Sequence, residues 1–173
     1  MVAAKTDAAH HGLQRLFEAH DIERAYVALT RGAPKSVKAT LTTRIGRSTA
    51  DRKKMAVLRS TVSGREATTH YEVNRAYGPV ERPLAARITC RLETGRTHQV
   101  RVHMTSIGHP LLGDPVYGRG RIVHRHLLNQ LDFKRQALHA AELGFLHPVS
   151  KENLSFKSAI PSDMQELFRA LTV

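Results

Sequence analysis

The chain has one cysteine, few acidic residues and no long apolar run, and each shortage excludes a class of protein. With Cys90 alone among 173 residues, no disulfide can form within the chain and no cysteine-based zinc finger is possible. We expect Cys90 to be a small buried thiol in a strand. No stretch approaches the ~18 consecutive apolar residues of a membrane-spanning helix, so no membrane association is expected. The amino terminus lacks the apolar core of a signal peptide, which favours the cytoplasm.

Acidic residues are scarce beside basic ones. Fifteen Asp and Glu stand against 27 Lys and Arg, which gives a net charge of +12. Arginine outnumbers lysine, and its planar fork suits phosphate better than the point charge of lysine does. The surplus favours a polyanionic partner, because bound phosphates release their counterions. Composition alone leaves RNA, DNA, anionic lipid and a merely basic surface open.

Eleven histidines and a glycine-rich run invite metal and nucleotide interpretations, and the spacing favours neither. His98 and His103 are five residues apart, so they do not share a helical face as an i, i+4 pair would. The run from Gly108 to Gly118 contains no Gly-Lys-Ser/Thr pair and no dinucleotide fingerprint. Asp114, between Gly and Pro, is interpreted as a turn former. We therefore expect no metal site.

Hydrophobic periodicity predicts a single α+β domain over residues 1–173, with a mixed, largely antiparallel sheet and flanking helices. One helix is capped by Asp7, one begins near Thr97 and ends at Gly108, and one begins at Ser162 with Gln165 at capping-box spacing. Basic loops are expected at 46–54 and 119–126. The predicted strands are 2–4, 24–29, 37–45, 68–73, 85–92, 138–146 and 154–156.

The segment 92–118 carries more hydrogen-bonding cations than a core-filling element would. Its most polar part is Gly95-Arg96-Thr97-His98-Gln99-Val100-Arg101-Val102-His103. Arg96 and His98 are candidates to contact RNA phosphate, or equally to brace the neighbouring loop. The two basic loops add further candidate RNA contacts, although a solvated surface loop explains the first one as well. The candidates in these loops are Arg47, Lys53 and Arg121.

The Gly95–His103 string resembles the most specific motif of the RluA/RluD-type family of ribosomal large-subunit RNA pseudouridine synthases. Other motifs of the family occur in this chain in the same order as in the family, and together the motifs cover nearly the whole chain. They are Arg24-Ala25-Tyr26-Val27-Ala28-Leu29, Leu138-His139-Ala140, His147-Pro148, and Phe156 with Pro161. The resemblance implies the family's catalytic-domain fold and isomerisation of uridine to pseudouridine, with large-subunit ribosomal RNA as the partner and neither metal nor organic cofactor.

The resemblance also implies catalytic roles for Tyr26 and Arg101. In the family an aspartate attacks the target uridine, and the base detaches, rotates and rejoins through carbon. Tyr26 would lie against the base and assist proton transfer, whereas spacing alone favours a half-buried strand aromatic. Arg101 would pair with the catalytic aspartate and hold it ionised as the nucleophile. Without the resemblance, Arg101 would be interpreted as a surface helix arginine.

The family's His-Arg-Leu-Asp motif, which carries that aspartate, is absent from this sequence; the nearest string is His124-Arg125-His126. We therefore expect residues 1–173 to be the C-terminal portion of a catalytic domain and to be inactive alone. A non-catalytic basic RNA-binding domain is the alternative. Arg101 should then meet water, an anion or a substitute carboxylate. An unpaired strand edge or an exposed apolar face is expected near residues 2–4 and 24–29, with self-association or disorder there.

Overall fold

Seven strands form one antiparallel sheet in the computed structural model, which describes residues 2–59, 63–118 and 122–172. The strand order is β3-β2-β4-β5-β1-β6-β7, and every pairing in it is antiparallel. The α+β class with a largely antiparallel sheet is confirmed. The strands are β1 Glu23–Arg31, β2 Lys38–Arg47, β3 Met55–Leu58, β4 Arg65–Tyr77, β5 Ala85–Leu92, β6 Leu138–Leu146 and β7 Asn153–Lys157.

The central strands β5 and β1 carry small and β-branched residues, so helices can pack closely against both of their faces. Ala85, Ala86, Ile88 and Cys90 of β5 are all fully buried. Burial raises the pKa of the Cys90 thiol to about 12, so it is a neutral thiol in a strand, as predicted. The centre of the sheet therefore offers an apolar surface on each face, against which helices pack.

The helices lie on both sides of this sheet. Their bounds are α1 Asp7–Ala19, α2 Gln99–Ser106, α3 Ile122–Gln130 and α4 Ser162–Ala170. Val100 and Met104 of α2 pack in one cluster with Ala28, while Met164 of α4 packs in another with Leu29. Because neighbouring strand residues point to opposite faces, α2 and α4 cover opposite faces of the sheet. No helix in the described ranges is long and apolar enough to cross a membrane.

The predicted free sheet edge is wrong. Strand β1 lies inside the sheet, with Tyr26 opposite Cys90 on β5 and Ala140 on β6. Residues 2–4 form no strand. The sheet ends instead at β3 and β7. The expectation failed because hydrophobic alternation shows that a strand exists but does not give its neighbours.

Several local predictions also need correction. Thr6, and not Asp7, caps α1 by accepting a hydrogen bond from the Ala9 amide at 3.3 Å. Pro161, and not Ser162, is the N-cap of α4 and makes no side-chain capping hydrogen bond, so the capping box at Ser162 is wrong. Residues 122–126 begin helix α3 where a basic loop was expected. The short strand β3 was missed, and residues 46–47 belong to β2 and not to the following loop.

Candidate functional site

Gln99, at the start of α2, joins the turn after β5 to strand β4. Its Oε1 accepts from the Thr94 hydroxyl at 2.8 Å and from the Arg96 amide at 2.9 Å. Its Nε2 donates to the Thr68 carbonyl and the Thr69 hydroxyl, each at 3.0 Å. A buried amide with all these partners is stabilising, because none of its polar groups is left unpaired. Gln99 therefore fixes where the helix begins over the sheet.

His103 continues this buried polar contact one turn further along α2. Its Nδ1 lies 2.8 Å from the Thr69 hydroxyl and its Nε2 lies 2.9 Å from the Thr43 hydroxyl. The side chain is completely buried, and burial lowers the pKa of its imidazole to about 4. The ring is therefore neutral at pH 7, with one nitrogen donating and the other accepting. It ties α2 to β2 and β4 at once.

Arg101 is buried on α2 and forms a two-pronged ion pair with Asp114. Its Nε donates to Oδ2 at 2.7 Å and its Nη2 to Oδ1 at 2.8 Å, with the side chains 9% and 0% exposed. Hydrogen bonding to Asp114 raises the pKa of Arg101. Interpreting Arg101 as a surface helix arginine is wrong. Of the three expected partners, water, an anion or a carboxylate, the structure shows a carboxylate, that of Asp114.

Asp114 also shapes the turn that follows α2, as the sequence predicted. Its Oδ1 accepts from the amides of Val116 at 2.9 Å and Tyr117 at 3.0 Å. Burial alone would raise the pKa of Asp114, but the hydrogen bonds from Arg101 and from these two amides outweigh it and lower the pKa. Asp114 is thus a permanent anion that joins the helix to the turn.

Tyr117 was not singled out from the sequence, although it links three parts of the site. Its hydroxyl accepts from the Met55 amide of β3 at 3.0 Å and lies 3.1 Å from His98 Nδ1. The Arg101 guanidinium lies over its ring, 5.0 Å from the centroid. Burial, and then the Arg101 charge, lower the pKa of His98. The only sequence feature that could have identified Tyr117 is its position as an aromatic residue three places after Asp114.

A groove of about 1230 Å³ opens between the β2–β3 hairpin and the start of α2. Four of the five predicted RNA-binding residues line it together: Arg47, Lys53, Arg96 and His98. Arg59 and Arg65 line it as well, and among its described lining residues there is no Asp or Glu. Such a surface attracts phosphate. Arg121, the fifth candidate, lies outside the described residues.

Arg96 faces the groove and also braces its wall. Its Nε donates to the Glu66 carbonyl at 2.8 Å, and its side chain is half-buried. Arg47 similarly donates from Nη1 to the Arg52 carbonyl at 3.0 Å but is exposed. Bracing and phosphate contact are therefore compatible for these arginines, because each keeps further donors.

Tyr26 lies half-buried on β1 and packs against the apolar cluster under α2. Within the described residues, no hydrogen bond joins Tyr26 to Arg101, which is committed to Asp114. The structure places both side chains on the α2 side of the sheet without joining them. Their catalytic roles stay predictions. The described residues contain no cluster of three or more His, Cys, Asp or Glu side chains, and metal independence also stays a prediction.

Comparison with known proteins decides the family. The family model described as RNA pseudouridylate synthase matches residues 1–106. The chain belongs to this family. The match includes β1 with Tyr26 and the complete Gly95–His103 motif, so the resemblance drawn from those residues is confirmed.

Curated relatives in the RNA pseudouridylate synthase family match the chain throughout. A ribosomal large subunit pseudouridine synthase D of Zymomonas mobilis is 51% identical over 173 residues, which is 100% of this chain and 52% of that protein. The protein of the same name from Xanthomonas campestris is 42% identical, over 99% of this chain and 50% of its own. The chain thus spans about half the length of the curated relatives it matches.

Two solved human members of the RNA pseudouridylate synthase family share the fold. RNA pseudouridylate synthase domain containing 1 has a TM-score of 0.71 and 26% identity, covering 97% of this chain and 73% of that one. RNA pseudouridylate synthase domain containing 4 has a TM-score of 0.73 at 22% identity, covering 96% and 68%, and supports the fold alone. The α+β arrangement described above is therefore that of pseudouridylate synthase domains.

Proposed function

We propose that this chain contributes the RNA-binding groove and the aspartate-orienting arginine of an enzyme that converts uridine to pseudouridine in large-subunit ribosomal RNA. The observation that carries the proposal is the groove, which is lined by basic side chains and no carboxylate among its described residues and which begins at the family motif. The printed names of the bacterial relatives support ribosomal RNA as the substrate. The same names support action in the cytoplasm, where bacterial ribosomes are.

Arg101 has the geometry that its proposed role requires. Asp114 bonds Nε and Nη2 of the guanidinium, which leaves Nη1 to bind a second carboxylate. A catalytic aspartate held there would stay ionised, because the paired cation lowers its pKa. The aspartate would attack the uridine, and the base would detach, rotate and rejoin through carbon. Tyr26 would lie against the flipped base.

The nucleophile is proposed to lie outside residues 1–173, since these contain no His-Arg-Leu-Asp. Asp114, the carboxylate paired with Arg101, cannot replace it, because both of its oxygens are committed to hydrogen bonds and its side chain is fully buried. A covalent mechanism needs a carboxylate that can reach the base. These residues thus supply the support for a nucleophile that another segment brings.

The test is site-specific detection of pseudouridine after incubation with unmodified large-subunit ribosomal RNA. Residues 1–173 alone should give no product, and the chain extended by an upstream segment with His-Arg-Leu-Asp should give product. Clear product from 1–173 alone would overturn the proposal about the nucleophile. RNA binding by the extended chain with no product on any ribosomal uridine would instead favour the non-catalytic RNA-binding domain.

In the active, extended chain, Arg101→Ala and Tyr26→Ala should each lower turnover at least about a hundredfold while changing RNA affinity much less. The matched control is Arg135→Ala, which breaks an ion pair of the same geometry with Asp163, again at 2.7 and 2.8 Å. A loss of turnover in Arg101→Ala that disappears when activity is expressed per folded protein, measured by urea denaturation, would show that Arg101 acts only through stability.

A further inference from the structure

Three nitrogen-bearing side chains meet where the end of α1 approaches the start of α2. His20 is the left-handed residue that ends α1, Arg24 is on β1, and Arg96 precedes α2. Arg96 Nη2 lies 3.4 Å from His20 Nε2, and Arg24 Nη2 donates to the Glu93 carbonyl at 3.1 Å. We call His20, Arg24 and Arg96 the α1–α2 cluster.

The α1–α2 cluster holds buried donors without acceptors. Within the described residues, Arg24 Nε and His20 Nδ1 are buried and have no hydrogen-bond partner. A guanidinium can only donate, so His20 Nε2 accepts from Arg96 and the ring proton is on Nδ1. Both unpaired atoms are therefore donors. Buried donors are almost always satisfied in proteins, so two of them at one place favour binding of an acceptor there.

The cluster is also short of negative charge. Neither Arg24 nor Arg96 forms an ion pair with a carboxylate among the described residues, whereas Arg101 and Arg135 both do. Burial lowers the pKa of Arg24, nearby Tyr26 raises it, and the charge of Arg96 lowers it again. Two partly desolvated cations side by side are destabilising until an anion lies between them.

Gly95 keeps the guanidinium of Arg24 in this position. A Cβ built on Gly95 would collide with Nη1 of Arg24, and the next nearest atom would be its Cζ at 3.4 Å. Any larger residue at 95 would therefore displace the guanidinium of Arg24 from this position. The close approach of Arg24 thus explains sterically why residue 95, the first of the family motif, is glycine in this chain.

We propose that His20, Arg24 and Arg96 form an oxyanion site that binds a phosphodiester of the RNA strand beside Tyr26. The inference rests on the proposed function and names a second contact region for the same RNA. Arg96 lines the basic groove and also contacts His20, so the site adjoins the groove at Arg96. Arg24 precedes Tyr26 by two strand positions and therefore shares its face.

The site itself is tested on residues 1–173 with inorganic phosphate, monitored by the NMR shifts of the His20 imidazole. Wild-type protein should show saturable binding, and Arg24→Gln should weaken it at least about tenfold. Arg24→Lys, which keeps the charge but loses the fork, should fall between them. Arg169→Gln, an exposed arginine on α4, is the matched control and should change nothing. No shift in the wild type, or equal shifts in Arg24→Gln, would overturn the proposal.

A second arm separates the sources of the anion. Acetate replaces phosphate in the same titration, and binding of acetate without phosphate would assign the site to a carboxylate and overturn the phosphodiester proposal. Gly95→Ala should lose phosphate binding as Arg24→Gln does, with thermal unfolding recorded to confirm that the variant is folded.

RNA then distinguishes failure of the site from failure of the function. In wild type, log affinity for single-stranded RNA should fall with log salt, and Arg24→Gln should reduce that slope by about 0.7. Phosphate binding with an unchanged RNA slope in Arg24→Gln would sink the RNA assignment while the groove proposal stands. Absence of RNA binding in the wild type would sink the proposed function, and the phosphate titration would still decide whether the site exists.

Discussion

The two sides of the Gly95–His103 motif carry similar types of polar residue but differ in burial and in hydrogen-bond partners. Gln99 and His103 are buried against the sheet, with hydrogen bonds to β2 or β4, and Arg101 is buried in its ion pair with Asp114 in the turn after α2. Arg96 and His98 face the groove and are only half-buried. The same kinds of polar side chain thus hold the helix in place on one side and line the basic groove on the other. Burial, not residue type, separates the two roles.

The largest difference in the free energy of unfolding between a buried and an exposed polar pair is expected at Asp114. Asp114→Ala leaves the Arg101 guanidinium buried without its carboxylate, which should lower the free energy of unfolding by about 3–5 kcal/mol. Asp163→Ala breaks an ion pair of equal geometry whose side chains are 39% and 42% exposed, and should lower it by about 1 kcal/mol or less. Urea denaturation measures both. Equal losses would contradict the distinction between buried and exposed polar pairs.

His103 should make the sheet-facing side sensitive to pH. The pKa of His103 is about 4 in the folded protein against an ordinary 6.5, so the unfolded chain takes up the proton first as the pH falls. The free energy of unfolding should therefore decrease between pH 6.5 and pH 4, by about 2 kcal/mol at pH 5 relative to pH 7.

The control for His103 is His103→Gln, which removes this titration and leaves the other histidines. Denaturation of both proteins at pH 7 and pH 5 isolates the contribution of His103. If the variant loses as much stability as the wild type between those two values, the neutral buried imidazole is not its source.

Tyr117 stands between the two sides, and a smaller effect is expected there. Tyr117→Phe removes the hydroxyl that accepts from the Met55 amide and keeps the ring under Arg101. We expect a loss of about 1 kcal/mol in the free energy of unfolding. The NMR signals of His98 should shift as well, since its Nδ1 loses a partner. An unchanged His98 signal would show that the two rings do not share a hydrogen bond.

The groove side should show the smallest change in stability and a clear change in binding. Arg47→Ala and Lys53→Ala remove exposed side chains, so the free energy of unfolding should stay within about 0.5 kcal/mol of wild type. Each should reduce the salt dependence of RNA affinity by about 0.7 per lost phosphate contact. Lys134→Ala, with a side chain 80% exposed outside the groove, is the control. Affinity indifferent to salt in the wild type would contradict a phosphate-binding groove.

Strands with clear alternation and clear ends could be predicted from the sequence. The predicted strands at 85–92 and 138–146 have the bounds of β5 and β6, because turn residues or a motif border both. Helix α3 was missed because its His and Arg residues conceal Leu127 and Leu128, which pack in the cluster under α4. Strand β3 has four residues, too few to show a period.

The sequence allowed individual residues of the candidate site to be predicted, but not how they are arranged in space. The motif resemblance pointed to Arg96, His98 and Arg101 one by one. Their division into a buried and an exposed side depends on strands β2 and β4, which lie about thirty to sixty positions away in sequence. Asp114 was correctly interpreted as a turn former, but its ion pair with Arg101 could not be foreseen. A local pattern carries no information about contacts that the sheet makes.

The central place of β1 in the sheet has a consequence for motion. Its amides are hydrogen-bonded to β5 on one side and β6 on the other, so they should exchange with solvent only when the whole domain opens. The basic loop at 48–54 is carried instead by β3, a four-residue edge strand paired on one side only, and can open locally. Strand β1, which carries Tyr26, is therefore a stationary part of the domain, whereas the basic loop can change its position without disturbing β1.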